Sequence, residues 1–413
     1  MAEPIARHLV PTDGVPAPLP ASTATVDTGA RLAAALLAYM AAITLVVTLM
    51  PFEFAYPSPP RLMVSGGLVD VVANVVLFVP LGFLYAVARG GSAARPSRVF
   101  VVALVASAAI ELIQLFEVSR YAALSDVVAN GGGACLGALV QRRVARKFSM
   151  DARTVGKLAL ELPLMGLVYL LVPLLWLDGL AGAEPATHLW PLLALGFFGA
   201  SLLAAAQRHY FGPNRLLSRG GMALAACVWF LIGAFPGLAP EASIVLVVML
   251  LAVGVFVWTR SADRSGAKPI NRRFEAKALA EAAPFYAAYL VLLVAPMTGS
   301  DAGGWHLSAG FDASMGIWAA GEILHVVELV AAFTLLGYMV AEFRGRREQR
   351  FREVCGYVGA WAGGAAAVCE ILEGFRPDGS ASLARLTLLA GAALYGAWLY
   401  HLQRAHVRRL LGR

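Results

Sequence analysis

The feature that most constrains this chain is a succession of long apolar segments divided by short polar ones. A helix needs about 20 mostly apolar residues to cross the hydrocarbon core of a bilayer. About twelve segments meet that requirement, near residues 32–50, 68–88, 98–117, 125–141, 158–178, 189–206, 221–236, 242–259, 279–297, 314–341, 354–374 and 382–402. The expected fold is all-α, a polytopic bundle of transmembrane helices. Composition agrees: only 14% of the 413 residues are charged, against about 25% in soluble domains.

The net charge of +7 points to topology rather than to nucleic acid, because the basic residues fall in alternate loops. Arg89, Arg95 and Arg98 lie between spans two and three, and Arg142, Arg143, Arg146 and Lys147 follow span four. Arg208, Arg215 and Arg219 follow span six, and Arg260, Arg264, Lys268, Arg272 and Arg273 follow span eight. Arg344, Arg346, Arg347, Arg350 and Arg352 follow span ten, while Arg404, Arg408 and Arg409 close the chain. The other loops carry few arginines, chiefly Arg61, Arg120 and Arg376. This positive-inside pattern predicts an even number of spans with both termini in the cytoplasm. The first thirty residues are rich in Pro, Ala and Thr and contain no apolar core of signal-peptide length. They read as a disordered cytoplasmic tail. Cys135, Cys227, Cys355 and Cys369 lie in or beside spans without CxxC spacing. They read as small buried hydrophobes, with no metal framework.

Three blocks follow the tail: residues 31–145, 155–260 and 279–405, each of four spans. The third resembles the first. DVVANVVLFVPLGFL at 70–84 aligns without gaps on HVVELVAAFTLLGYM at 325–339, with Val71, Val72, Phe78, Leu81 and Gly82 matching Val326, Val327, Phe333, Leu336 and Gly337. IELIQLF at 110–116 aligns on CEILEGF at 369–375, pairing Glu111 with Glu370 and Gln114 with Glu373. Carboxylates are rare inside spans, so the matched glutamates carry the inference of a degenerate internal repeat. The middle block, by contrast, looks nearly charge-free.

Polar residues inside spans are costly and face a partner or a site. Asp70 with Asn74, Glu111 with Gln114, and Asp126 with Asn130 each stand i,i+3 or i,i+4, on one face of their helix. With the N-terminus inside, chain order brings all six toward the outer ends of spans two, three and four, with Arg120 in the loop between. Readings compete at each position. The amides can be interhelical glue, each link worth about 1 kcal/mol. Asp70 and Asp126 can be helix N-caps. Arg120 can snorkel to headgroups or recognise an anion. A second candidate cluster joins Glu322, His325, Glu328, Glu370, Glu373 and Arg376, and reads as hydrogen-bonded or proton-linked rather than metal-binding. Gly131, Gly132, Gly133 and Gly137, with Gly82 and Gly337, read as close-packing positions.

These residues together resemble the VanZ family: Asp70, Asn74, Phe78, Pro80, Leu81, Gly82, Glu111, Gln114, Arg120, Asp126, Asn130, Gly133 and Gly137 reproduce its pattern in order. The third block lacks a matching Asp and Asn at its last span, where Arg385 falls instead. The resemblance implies a multi-pass protein of the bacterial cytoplasmic membrane, linked to the cell envelope and to low-level teicoplanin resistance. The expectation is an outward polar pocket binding an amphiphile such as a lipid-linked glycan or glycolipid, with membrane lipids as partners and neither nucleic acid nor cofactor. No recognised catalytic motif is present. A membrane enzyme using Glu111 and Asp126 as paired carboxylates, and a transporter or flippase, are the alternatives.

Overall fold

The computed structural model describes residues 24–55, 62–64, 67–90, 94–118, 120–148, 166–181, 189–211, 219–234, 274–295, 305–310, 320–344, 351–375 and 380–410, with isolated helical positions at 248, 250, 251 and 254. Eleven α-helices occupy the described residues. The first four are α1 (Ala24–Leu49), α2 (Leu68–Ala88), α3 (Pro96–Gln114) and α4 (Leu124–Phe148). Then follow α5 (Val172–Ala181), continuing a π-helical turn at Gly166–Leu171, α6 (Leu189–Phe211) and α7 (Arg219–Ala234). The last four are α8 (Phe274–Val294), α9 (Ala320–Arg344), α10 (Phe351–Glu373) and α11 (Leu383–Leu410). Seven of these are long and apolar enough to cross a membrane, and three shorter apolar helices accompany them. The bundle is all-α, as its hydropathy predicts.

Several boundaries differ from the expectation. Helix α1 already begins at Ala24, inside the stretch read as a tail; residues 1–23 lie outside the described part, as do most of 242–259 and residues 158–165 of the span at 158–178. Helices α4 and α11 run on to Phe148 and Leu410, past the apolar stretches that end near 141 and 402. Arg and Lys are good helix formers and suit a helix C-terminus, so the basic tails stay helical. Helix α2 stops at Arg89, followed by Gly90 at φ 86°, the left-handed position that favours glycine after a helix.

Helix α4 packs along α2 more extensively than any other pair, and α11 packs along α9 in the same way. Both seams rest on absent side chains. A Cβ at Gly82 would overlap the Ala134 carbonyl, one at Gly137 the Val79 carbonyl, and one at Gly133 the Val75 carbonyl. In the second seam Gly337 meets the Ala393 carbonyl and Gly396 the Thr334 carbonyl. Small residues let helix backbones approach to van der Waals contact, which drives association where lipid removes the hydrophobic contrast.

Two pairs of very short parallel strands clamp the helix ends. β1 (Leu62–Met63) pairs with β2 (Ala122–Ala123) just before α4, and β3 (Leu307–Ser308) pairs with β4 (Ala381–Ser382) just before α11. The densest core lies between α5, α6, α7, α8 and α9, around the fully buried Trp176, Phe198, Phe230, Tyr286, Tyr289 and Phe333. Helix α8 packs mainly on α6, so the first helix assigned to the third block leans on the middle one. Helix α1 runs antiparallel to α11: the Tyr395 hydroxyl donates to the Ala35 carbonyl at 2.8 Å, and Thr28 Oγ1 lies 3.5 Å from His406 Nδ1.

Candidate functional site

The site forms at the end of the bundle where α2 and α4 begin and α3 finishes, opposite the turns that carry Arg89, Arg95 and Arg98. Asp70, in the first turn of α2, is exposed, and its Oδ2 accepts the Gly67 N–H at 3.1 Å. The N-cap is therefore Gly67 and not Asp70, which stands at N3 and accepts back from the N-cap amide while remaining exposed. Asn74, one turn on, hydrogen-bonds the Asp126 carboxylate across the α2–α4 seam, and Asp70 and Arg120 lie within electrostatic reach of that carboxylate. Ser125 Oγ donates to Asp126 Oδ1 at 3.1 Å.

Glu111 is buried in the last turn of α3, where its Oε2 accepts the Ala123 N–H at 2.8 Å. That bond ties α3 to β2. Asp126 and Arg120 both act on the Glu111 carboxylate. The Nε of Arg120 donates to the Met50 carbonyl at 2.9 Å. Its terminal nitrogens hydrogen-bond nothing among the described residues. Asp70, Asn74, Glu111, Arg120 and Asp126 thus converge.

Gln114 and Asn130 do not join them. Gln114 Nε2 donates to the Thr48 carbonyl at 2.7 Å, satisfying one of the carbonyls left open in the last turn of α1. Asn130 lies a turn deeper, with Nδ2 donating to Ser107 Oγ at 2.8 Å. Their i,i+3 and i,i+4 spacing gives the face of a helix but not which neighbour that face meets. Glu117 is also buried here, with Oε1 accepting the Glu53 N–H at 3.2 Å, so it fixes the loop after α1. Its position at the very end of span three gave no signal beyond its charge.

The second cluster is assembled differently. Glu370 Oε2 accepts the Ser382 N–H at 2.7 Å, as Glu111 does from Ala123, twelve residues on in both cases. Arg385, at the place of Asp126, then forks onto Glu370 with contacts of 2.7 and 2.9 Å. His325 Nε2 lies 2.9 Å from Glu373 Oε1, and its Nδ1 lies 3.7 Å from Glu328 Oε2. Glu322 is exposed in the first turn of α9 and takes no part. Arg376 lies outside the described residues. The first cluster thus sets three carboxylates against one guanidinium, while the second sets acids against Arg385 and His325. Among the described residues no group of three His, Cys, Asp or Glu side chains could hold a metal ion.

The glycine seam, the Glu111 anchor and the Asp126–Asn74 link all fall within one stretch of chain, and residues 20–146 match the family model VanZ/LLP1. The N-terminal four-helix unit is thus similar to the VanZ/LLP1 family. Every residue of the first cluster lies inside it. The match ends within α4, so the middle block and α8 to α11 lie beyond it. No curated protein and no solved structure matches the chain.

Proposed function

We propose that the VanZ-like domain binds the polar headgroup of an amphiphile, a lipid-linked glycan or glycolipid, at the outer face of a bacterial cytoplasmic membrane. The observation that carries this reading is Arg120. Its Nε is committed to Met50, its terminal nitrogens make no hydrogen bond among the described residues, and the Glu111 and Asp126 carboxylates lie within its electrostatic reach, Asp126 with Asn74 beside it. A guanidinium fork takes an anionic oxygen pair. The carboxylates and Asn74 accept and donate to hydroxyl and amide groups of a sugar.

The surroundings favour a ligand with a tail. Val64 is 82% exposed and Leu68 81%, next to Asp70, and Val69 and Leu124 are exposed beside them. An apolar rim at a polar cluster suits a molecule whose head is hydrophilic and whose chain lies in lipid. The positive-inside pattern supports an extracytoplasmic position for this end. One oxygen of Glu111 is held by a backbone N–H. Its role is to position the β2–α4 corner that carries Asp126. Sequestering or presenting such a ligand would alter susceptibility to glycopeptides that act at the envelope.

The test is equilibrium binding of the full chain in nanodiscs to a polyprenyl-diphosphate-linked disaccharide, with the sugar-free polyprenyl phosphate as comparison. Arg120→Gln and Asp126→Asn should each weaken disaccharide binding about tenfold, about 1.4 kcal/mol, while keeping the thermal midpoint. Equal affinity in both variants, or no discrimination between the two lipids, overturns the reading.

A further inference from the structure

Beyond the VanZ-like domain, ionisable side chains form an unbroken line from the β4 corner into the core. Arg385 joins Glu370 and lies 3.9 Å from Glu373, Glu373 meets His325, and His325 faces Glu328. The line ends at Asp178 of α5, a carboxylate of the middle block that its apolar surroundings hide in the sequence. Asp178 is 2% exposed and Glu328 1%. We infer that Asp178 and Glu328 hold one proton between them, forming a proton-binding site where α5 meets α9.

Geometry carries the inference. Asp178 Oδ1 accepts the Tyr289 hydroxyl at 3.1 Å, and Glu328 Oε2 faces His325 Nδ1. The remaining oxygens, Asp178 Oδ2 and Glu328 Oε1, are buried with no hydrogen-bond partner among the described residues. The two carboxyl groups lie within electrostatic reach of each other. Ionised carboxylates only accept, so a hydrogen bond between them requires a proton on one. Two bare carboxylates sharing a dry site repel strongly.

Among the described residues, Arg385 and His325 are the cations in this line. Arg385 is engaged with Glu370. His325 presents both ring nitrogens to acids, one to Glu373 and one to Glu328, an arrangement suited to the doubly protonated ring. Two cations therefore face four carboxyl groups. From α8 the pair meets Tyr286 and Tyr289, with Tyr39 of α1 and Cys369 of α10 behind Tyr286, none of them cationic. Among the described residues, no group of three His, Cys, Asp or Glu side chains here could hold a metal ion. Uptake adds one H⁺ to the pair and requires no other reactant. The His325–Glu373–Arg385 line leads from the pair to the half-buried Ser380 carbonyl at the corner before α11.

The test is infrared spectroscopy of the full-length protein in nanodiscs at neutral pH. The wild type should give a protonated-carboxyl C=O band that shifts down in D₂O. Asp178→Asn and Glu328→Gln should each abolish it. Labelling aspartate with ¹³C at the side-chain carboxyl should perturb the band in the wild type, a readout independent of how the variants fold. A wild type without the band, a band that persists in both variants, or one insensitive to the label overturns the inference. So does loss of the band when sodium replaces choline at constant pH, which makes the pair a sodium site.

Discussion

At Gly137 the hydrogen in place of a side chain decides whether α4 can reach α2 at all, because any Cβ there would overlap the Val79 carbonyl and crowd the Phe83 amide. Backbone cannot swing aside as a long side chain can. Gly137→Val should therefore cost at least about 1–3 kcal/mol, the usual penalty for overpacking, read as a lower thermal midpoint of the detergent-solubilised protein. Gly132 lies five residues earlier on the same helix, yet a Cβ there meets nothing within 4 Å. Gly132→Ala should be neutral or stabilising by up to about 1 kcal/mol, since it gains helix propensity without a clash. Composition alone marks this run as one of close packing. It cannot tell Gly132 from its neighbours, because that distinction depends on which way each position turns in the finished bundle.

At the scale of elements, the two glutamates at the ends of α3 and α10 do one job in different electrostatic company. Each accepts the amide of a short strand that precedes the next helix, Ala123 of β2 or Ser382 of β4. A glutamine keeps an acceptor oxygen, so Glu111→Gln should leave stability nearly unchanged. Glu111→Leu should lose about 1–3 kcal/mol by leaving the Ala123 amide buried and unpaired. Glu370→Gln should be worse than Glu111→Gln, because it strips the bidentate partner from Arg385, whose side chain is only 13% exposed. Breaking a buried pair from one side costs about 3–5 kcal/mol, moderated here by the remaining Arg385 contacts to Glu373 and Ser380. Urea or thermal unfolding of the variants side by side checks the order. The alignment of Glu111 with Glu370 was legible in the sequence, since carboxylates are rare in spans. The pairing of Arg385 with Glu370 was not: read linearly, Arg385 registers only as a missing Asp, and its partner lies fifteen residues away on another helix. Asp178 escaped notice for the related reason that its partners, Glu328 and Tyr289, belong to another block.

Across the whole molecule the constraint is parity. The start of α1 packs against the end of α11, with Thr28 beside His406 and Ala35 beside Tyr395, so both helices carry their chain ends to the same end of the bundle. If that end lies on one side of a membrane, the crossings between the start of α1 and the end of α11 are even in number, so the seven long helices alone do not make them up and shorter helices must cross as well. The same logic puts Glu53, Ser125 and the polar cluster at one end, and Arg89 and Arg142 at the other, because α2 and α4 each run from the first end to the second. The distribution of arginines is the ground for proposing that the second end is cytoplasmic. In sealed vesicles of known orientation, and with the four native cysteines replaced, a cysteine at Glu53 should react with a membrane-impermeant maleimide only from the extracytoplasmic side. One at Arg89 or Arg408 should react only from the cytoplasmic side. Glu53 is exposed in the loop after α1, and Arg89 and Arg408 are exposed at helix ends, so accessibility rather than burial governs the labelling. Reaction at Glu53 and Arg89 from one side would mean that α2 does not cross, and the cluster of Asp70, Glu111, Arg120 and Asp126 would lose its place at an outer surface.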